Sequence, residues 1–121
     1  MLVVFMSLTG QTRKFVKKLG WPSLEITLDN AFTKVNEPFI FVAPTYETEA
    51  TDIIEDFLET GSNRDLLRGF AGSGNLNFNT LYCFTAKDYS RDYKVPLLHQ
   101  FEFQGTQTDV ERLKKEVEKL G

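Results

Sequence analysis

The chain has 121 residues, 14 Lys plus Arg against 17 Asp plus Glu, a formal net charge of −3, one cysteine and one histidine. A domain of this length buries about two thirds of its surface and needs no disulfides. The acidic balance speaks against nucleic acid as a partner, the lone Cys83 and His99 exclude a cysteine-rich zinc site or a disulfide framework, and no apolar run is long enough to cross a membrane. The default expectation is therefore one soluble, cytoplasmic domain over residues 1–121, with no membrane or nucleic-acid partner.

In chain order, Leu2–Met6 is a short continuous apolar run, as a strand covered on both faces requires. Thr12, Phe15, Val16 and Leu19 recur at helical spacing, with Gly20 as the C-cap. "SLEITL" alternates apolar and polar residues and reads as a strand nearer an edge. "PFIFVA", Pro38 to Ala43, is a buried strand whose proline stands where no ladder donor is missed. Ile53, Ile54, Phe57 and Leu58 form a helical stripe stopped by Gly61, and "LLRGFAG", Leu66 to Gly72, is the fourth strand.

The stretch from Phe78 to Tyr93 is ambiguous. "TLYCF" suits a buried strand, but Phe78, Tyr82, Ala86, Tyr89 and Tyr93 share one helical face, which favours a helix. "VPLLHQFEF" is the fifth strand. Val110, Leu113, Val117 and Leu120 mark the last helix, with Thr108 and Glu111 spaced as a capping box. The basic stretches "RKFVKK" and "RLKKEVEK" fall in helical patterns and read as solvated faces.

Strands alternating with helices imply an α/β protein: a parallel sheet wrapped on both faces, the smaller doubly wound fold. Its ligand crevice lies outside the carboxyl ends of the strands. Chemistry is therefore expected after strands one, three and four, in "SLTGQT", "PTYETEA" and "GSGNLNF".

"SLTGQT" follows a strand and opens a helix, where unpaired N–H groups and the helix dipole favour an anion. Ser7, Thr9 and Thr12 add hydroxyls, and Gly10 allows close backbone approach. With no lysine and no fuller glycine spacing, a triphosphate loop is excluded. The loop is either a capped turn or a cradle for one terminal monophosphate held by neutral donors. Tyr46 either stacks on a planar ring or packs over the helix behind it. Glu47, Glu49 and Asp52 suit a helix start. In the third loop, backbone N–H groups and Asn amides are able to read the edge of a heterocycle, with Phe78 over its face; the bland alternative is a Gly/Asn turn. Together the three describe a mononucleotide site with a flat ring system, for which FMN is the best fit. His99 and Cys83 read as a satisfied strand histidine and a buried thiol, so no acid–base constellation accompanies the site.

"SLTGQT" resembles the phosphate loop of flavodoxins, with Gln11 where Asn is usual. Taken with "PTYETE", "GSGNLNFN" and above all "FEFQGTQTDVE", the chain resembles the NrdI family over nearly its whole length. That resemblance implies a flavodoxin-like three-layer sandwich with a five-stranded parallel sheet of order 2-1-3-4-5. It also implies an FMN protein that, once reduced by a flavin reductant, reacts with O2 to supply superoxide or peroxide. The oxidant serves assembly of the dimanganese–tyrosyl radical cofactor in the small subunit of class Ib ribonucleotide reductase, the implied protein partner.

By the same resemblance the phosphate loop comprises Ser7, Leu8, Thr9, Gly10, Gln11 and Thr12, and Thr45, Tyr46 and Glu47 lie over the isoalloxazine. Ser73, Gly74, Asn75, Asn77 and Phe78 form the amide-rich loop, and Tyr82 is the outer aromatic contact. The chain departs from the family pattern at Asn79, where glycine is common, and in its glycine-poor middle loop "YETEATD". Such a loop resists the peptide flip that stabilises half-reduced flavin in flavodoxins, and its carboxylates disfavour added negative charge on the ring. Two other readings share the fold: a general electron-transfer flavodoxin and a flavin-less binding module.

Overall fold

The computed structural model describes residues 1–7, 9–45, 48–74 and 83–120, with side chains for all of these except 48–51 and 84. In chain order the elements are β1 (Leu2–Phe5), α1 (Gln11–Leu19), β2 (Ser23–Glu25), β3 (Phe39–Ala43), α2 (Thr48–Leu58), α3 (Asn63–Leu66), β4 (Leu67–Gly74), α4 (Phe84–Tyr93), β5 (Leu97–Glu102) and α5 (Gln107–Glu118). The strands form one five-stranded sheet in the order β2-β1-β3-β4-β5, every neighbouring pair parallel. This is the order expected from the resemblance.

The alternation of side chains along each strand divides the core in two. Val3, Phe5, Ile40, Val42, Ala71 and Phe101 face α1 and α5, where they meet Phe15, Val16, Leu19, Val110, Leu113 and Val117. Val4, Met6, Phe39, Phe41 and Phe70 face the other way, onto Ile53, Ile54, Phe57 and Leu58 of α2 and Ala86 and Tyr89 of α4. Both faces of β3 are thus covered, and all five of its residues are buried. Much of the phenylalanine content fills these layers: Phe15 stacks on Phe101 at 3.9 Å between ring centroids, and Phe57 meets Phe39 edge-on at 5.6 Å.

Some boundaries differ from the sequence expectation. The second strand stops at Glu25 because Asn30 folds the chain back: its amide donates to the Glu25 carbonyl at 2.9 Å and its oxygen accepts from the Thr27 N–H at 2.6 Å. The short helix α3 carries no hydrophobic period to announce it. It is held by Asn63, fully buried, which bonds the carbonyls of Thr33 and Phe57 and the N–H of Val35. Cys83 and Phe84 of "TLYCF" belong to the turn and first residue of α4, and Ala86, Tyr89 and Tyr93 lie on it as the helical reading expects. Phe78 and Tyr82 lie outside the described residues.

The capping box of α5 is not Thr108–Glu111 but Thr106–Asp109. The Thr106 hydroxyl accepts from the Asp109 N–H at 3.2 Å, and the Asp109 carboxylate accepts from the Thr106 N–H at 2.8 Å. Two left-handed residues, Phe103 (φ 51°) and Gly105 (φ 70°), turn the chain sharply after β5, so the helix starts earlier than its apolar stripe. A Cβ on Gly105 would stand 2.6 Å from Phe15 Cδ1, so glycine is required there. The other Asp109 oxygen lies 2.8 Å from His99 Nε2, which links strand and helix.

Burial acts to raise the Asp109 pKa, but the hydrogen bonds from His99 and Thr106 outweigh it and leave the carboxyl below its ordinary value. A depressed folded-state pKa means that its stabilisation is complete above the unfolded value and is lost as pH falls through the folded one.

Thr106→Ala is expected to lose about 1 kcal/mol of stability in urea denaturation, whereas Thr108→Ala stays within about 0.5 kcal/mol of the parent. Equal losses would return the cap to Thr108. Asp109→Asn should flatten the fall in stability below about pH 4; an unchanged acid limb would show that this carboxylate does not contribute to it.

Candidate functional site

Because the sheet is all parallel, the ends of β1, β3 and β4 open onto one edge, and two hydrogen bonds tie their following segments together. Thr12, in the first turn of α1 and buried, places its Oγ1 3.2 Å from the Oγ of buried Ser73 on β4. Thr45, just beyond β3, donates from its hydroxyl to the Ser73 carbonyl at 2.6 Å. Ser73 is therefore the point where the expected crevice segments meet. The Gly74 carbonyl accepts from the Phe103 N–H at 3.1 Å, which joins the end of β5 to the same edge.

The β1–α1 turn is organised by Ser7. Its Oγ accepts from the N–H groups of Gly10 (3.1 Å) and Arg13 (3.3 Å), so the hydroxyl proton points elsewhere as a donor. Gly10, at φ 87°, adopts the left-handed conformation that lets the chain turn into α1. No acidic residue occupies the first turn of α1, and its N-cap Gly10 has no side chain to cap it, so Ser7 from the preceding turn takes the Arg13 N–H; α5 by contrast has both an acid and its own N-cap side chain. Among the described residues nothing accepts from the N–H groups of Gln11 and Thr12. With the hydroxyls of Ser7, Thr9 and Thr12, they form a neutral donor set at the positive end of a helix dipole.

The described residues thus include Ser7, Thr9, Gly10, Gln11, Thr12, Thr45, Ser73 and Gly74 of the expected site. Leu8, Tyr46, Glu47, Asn75, Asn77, Phe78 and Tyr82 lie outside them. His99 is paired with Asp109, and Cys83 is buried with its thiol 3.3 Å from the Gly72 carbonyl. Neither faces the Thr12–Ser73–Thr45 junction through any of these bonds.

Two residues at this edge carry no sequence signal for a place in a site. Phe103 is 51% exposed despite its size. Arg13 sits within what reads as a solvated basic face, yet it makes a two-pronged pair with Glu25 at the end of β2, with both N–O distances 2.7 Å. The hydrogen bond from Arg13 holds the Glu25 carboxyl below its ordinary pKa, and Glu25 in turn raises that of the guanidinium.

Residues 3–115 match the family model described as NrdI flavodoxin-like. The chain belongs to the NrdI family. The Protein NrdI of Wigglesworthia glossinidia brevipalpis is 38% identical over 98% of this chain and 89% of its own length. A Protein NrdI of Streptococcus pyogenes is 36% identical over 93% of this chain and 74% of its own. Among solved structures, a short-chain flavodoxin associated with a bacterial microcompartment superimposes with a TM-score of 0.68 at 20% identity, covering 98% of this chain and 94% of that one. Oxidised Flavodoxin 2 from Bacillus cereus gives 0.63 at 18% identity, covering 98% and 97%. At those identities the likeness is one of fold, so NrdI membership rests on the sequence relatives and the family model.

Thr45→Val removes the donor to the Ser73 carbonyl while keeping the side-chain volume. It should cost about 1–2 kcal/mol in denaturant unfolding; a loss under about 0.3 kcal/mol would mean that water replaces the hydroxyl without penalty.

Proposed function

We propose that this NrdI-family chain binds FMN at the carboxyl edge of its sheet and serves a class Ib ribonucleotide reductase in the cytoplasm. The supporting observation is the tie of Thr12, Ser73 and Thr45, which gathers the segments after β1, β3 and β4 around one serine. The donor set fits a phosphate tail: N–H groups of Gln11 and Thr12 that meet no acceptor among the described residues, hydroxyls from Ser7 and Thr9 with that of Thr12 shared with Ser73, and no acidic residue in the first turn of the helix. In this reading the family resemblance assigns the ring to Thr45, Tyr46 and Glu47, to Ser73, Gly74, Asn75, Asn77 and Phe78, and to Tyr82. Leu8 completes the phosphate loop between Ser7 and Thr9.

Bound FMN, once reduced by a flavin reductant, would supply the redox chemistry, which in this reading is transfer of its electrons to O2 to give superoxide or peroxide for the dimanganese site of the reductase small subunit. The protein contributes binding and orientation. Ser7 shapes the turn by accepting from the Gly10 and Arg13 N–H groups, leaving its own proton for an anion. Thr45 fixes the segment leading into the middle loop, and Gly10 keeps the mouth of the cradle free of a side chain.

A visible absorption spectrum and a titration with added FMN test the first step, since a chain that neither carries nor takes up flavin has no part in this chemistry. Stopped-flow oxidation of the reduced protein, with and without manganese-loaded small subunit, tests the second; a radical yield no higher than without the protein would overturn it. Gly10→Val puts a β-branched residue at φ 87° and is expected to weaken FMN binding at least about tenfold. Unchanged affinity would move the phosphate away from this loop.

A further inference from the structure

Arg13 commits two of its three guanidinium nitrogens to one neighbour. Nε and Nη2 bond the two oxygens of Glu25, each at 2.7 Å, which fixes the plane of the group. Nη1 takes no part in that pair and donates to no described group. It lies 3.7 Å from the point where a Cβ would stand on Gly10, and hence over the turn between β1 and α1. Lys17, one helical turn further on, also acts on the Glu25 carboxylate through its charge. Glu25 thus faces two cations, Arg13 and Lys17.

We propose that Arg13 is a specificity residue of the phosphate cradle: Glu25 braces the guanidinium so that Nη1 donates to a doubly charged, terminal phosphate seated over Gly10. The inference rests on the flavin-phosphate reading above and narrows it. The hydroxyls and N–H groups are neutral and suit any ester oxygen. The braced arginine adds charge, which favours a phosphomonoester dianion over a ligand without phosphate. The side chain is 45% exposed, so salt screens its attraction in part. Lysine in its place keeps the charge but cannot make the fork and present a third nitrogen at once.

The test is titration of the full chain with FMN and with riboflavin, followed by flavin fluorescence, at low and high salt. Arg13→Gln is expected to weaken FMN binding about five- to tenfold, to leave riboflavin binding unchanged, and to flatten the salt dependence for FMN. Arg13→Lys should fall between the parent and Arg13→Gln, and thermal unfolding of each variant checks that the fold is kept. Equal FMN affinity and salt dependence in parent and Arg13→Gln would overturn the proposal, as would a loss shared equally by FMN and riboflavin, which marks a structural role. A parent chain that binds riboflavin as tightly as FMN would also overturn it while leaving flavin binding intact. A parent that binds neither flavin removes the flavin reading itself, and this inference with it.

Discussion

A parallel sheet buried on both faces is the constraint on which this molecule depends. Each strand must be returned to the same starting edge by a helix on one face or the other, so every strand delivers its carboxyl end to one side. The loops there have no crossover to complete before the next helix begins, and they meet where the strand order reverses, between β1 and β3. The gathering of Thr12, Thr45 and Ser73 follows from that topology. Residues far apart in the chain come within hydrogen-bond distance because β1, β3 and β4 are neighbours in the sheet.

Burial supplies the stability that holds this edge in place. Both apolar layers contain aromatic rings among their aliphatic residues, and Phe15 links one of them to the candidate site in a concrete way. It stacks on Phe101 beneath α1, and Gly105 packs so closely on it that no side chain fits. The same helix that buries Phe15 presents Thr12 and Arg13 one turn earlier. A change in that packing therefore moves the start of α1, and with it the candidate anion site. On the far side of the turn, Lys18 donates to the carbonyls of Gln104 and Gly105, which ties α1 to the β5–α5 connection as well.

β1 and β3 were legible in sequence as continuous apolar runs, because both their faces are buried, and α1, α2 and α5 as helical stripes, because one face of each is. α3 was not, because a four-residue helix held by one buried asparagine has no period to show. The cap of α5 was misassigned for a related reason. Thr106 and Thr108 both stand at capping spacing from an acid, and the choice between them depends on where the chain leaves β5. That exit is set by Phe103 and Gly105 in left-handed conformations and by His99, a residue of another element, bonding Asp109. The family was legible through "FEFQGTQTDVE", the segment that contains this turn.

By itself the sequence determined the α/β class, the strand order through its family likeness, and the positions of the loops that reach the crevice. The class and the loop positions follow from local periodicity and from residue types that only certain backbone conformations accept; the strand order came only with the resemblance. Only the tertiary structure decided that Ser73 joins the segments after β1, β3 and β4, that Ser7 spends its acceptor capacity on its own turn, and that Arg13, on the exposed face, braces against Glu25. The reason is physical. Burial writes a period into neighbouring residues, whereas a hydrogen bond between distant ones leaves no mark in either until the sheet brings them together.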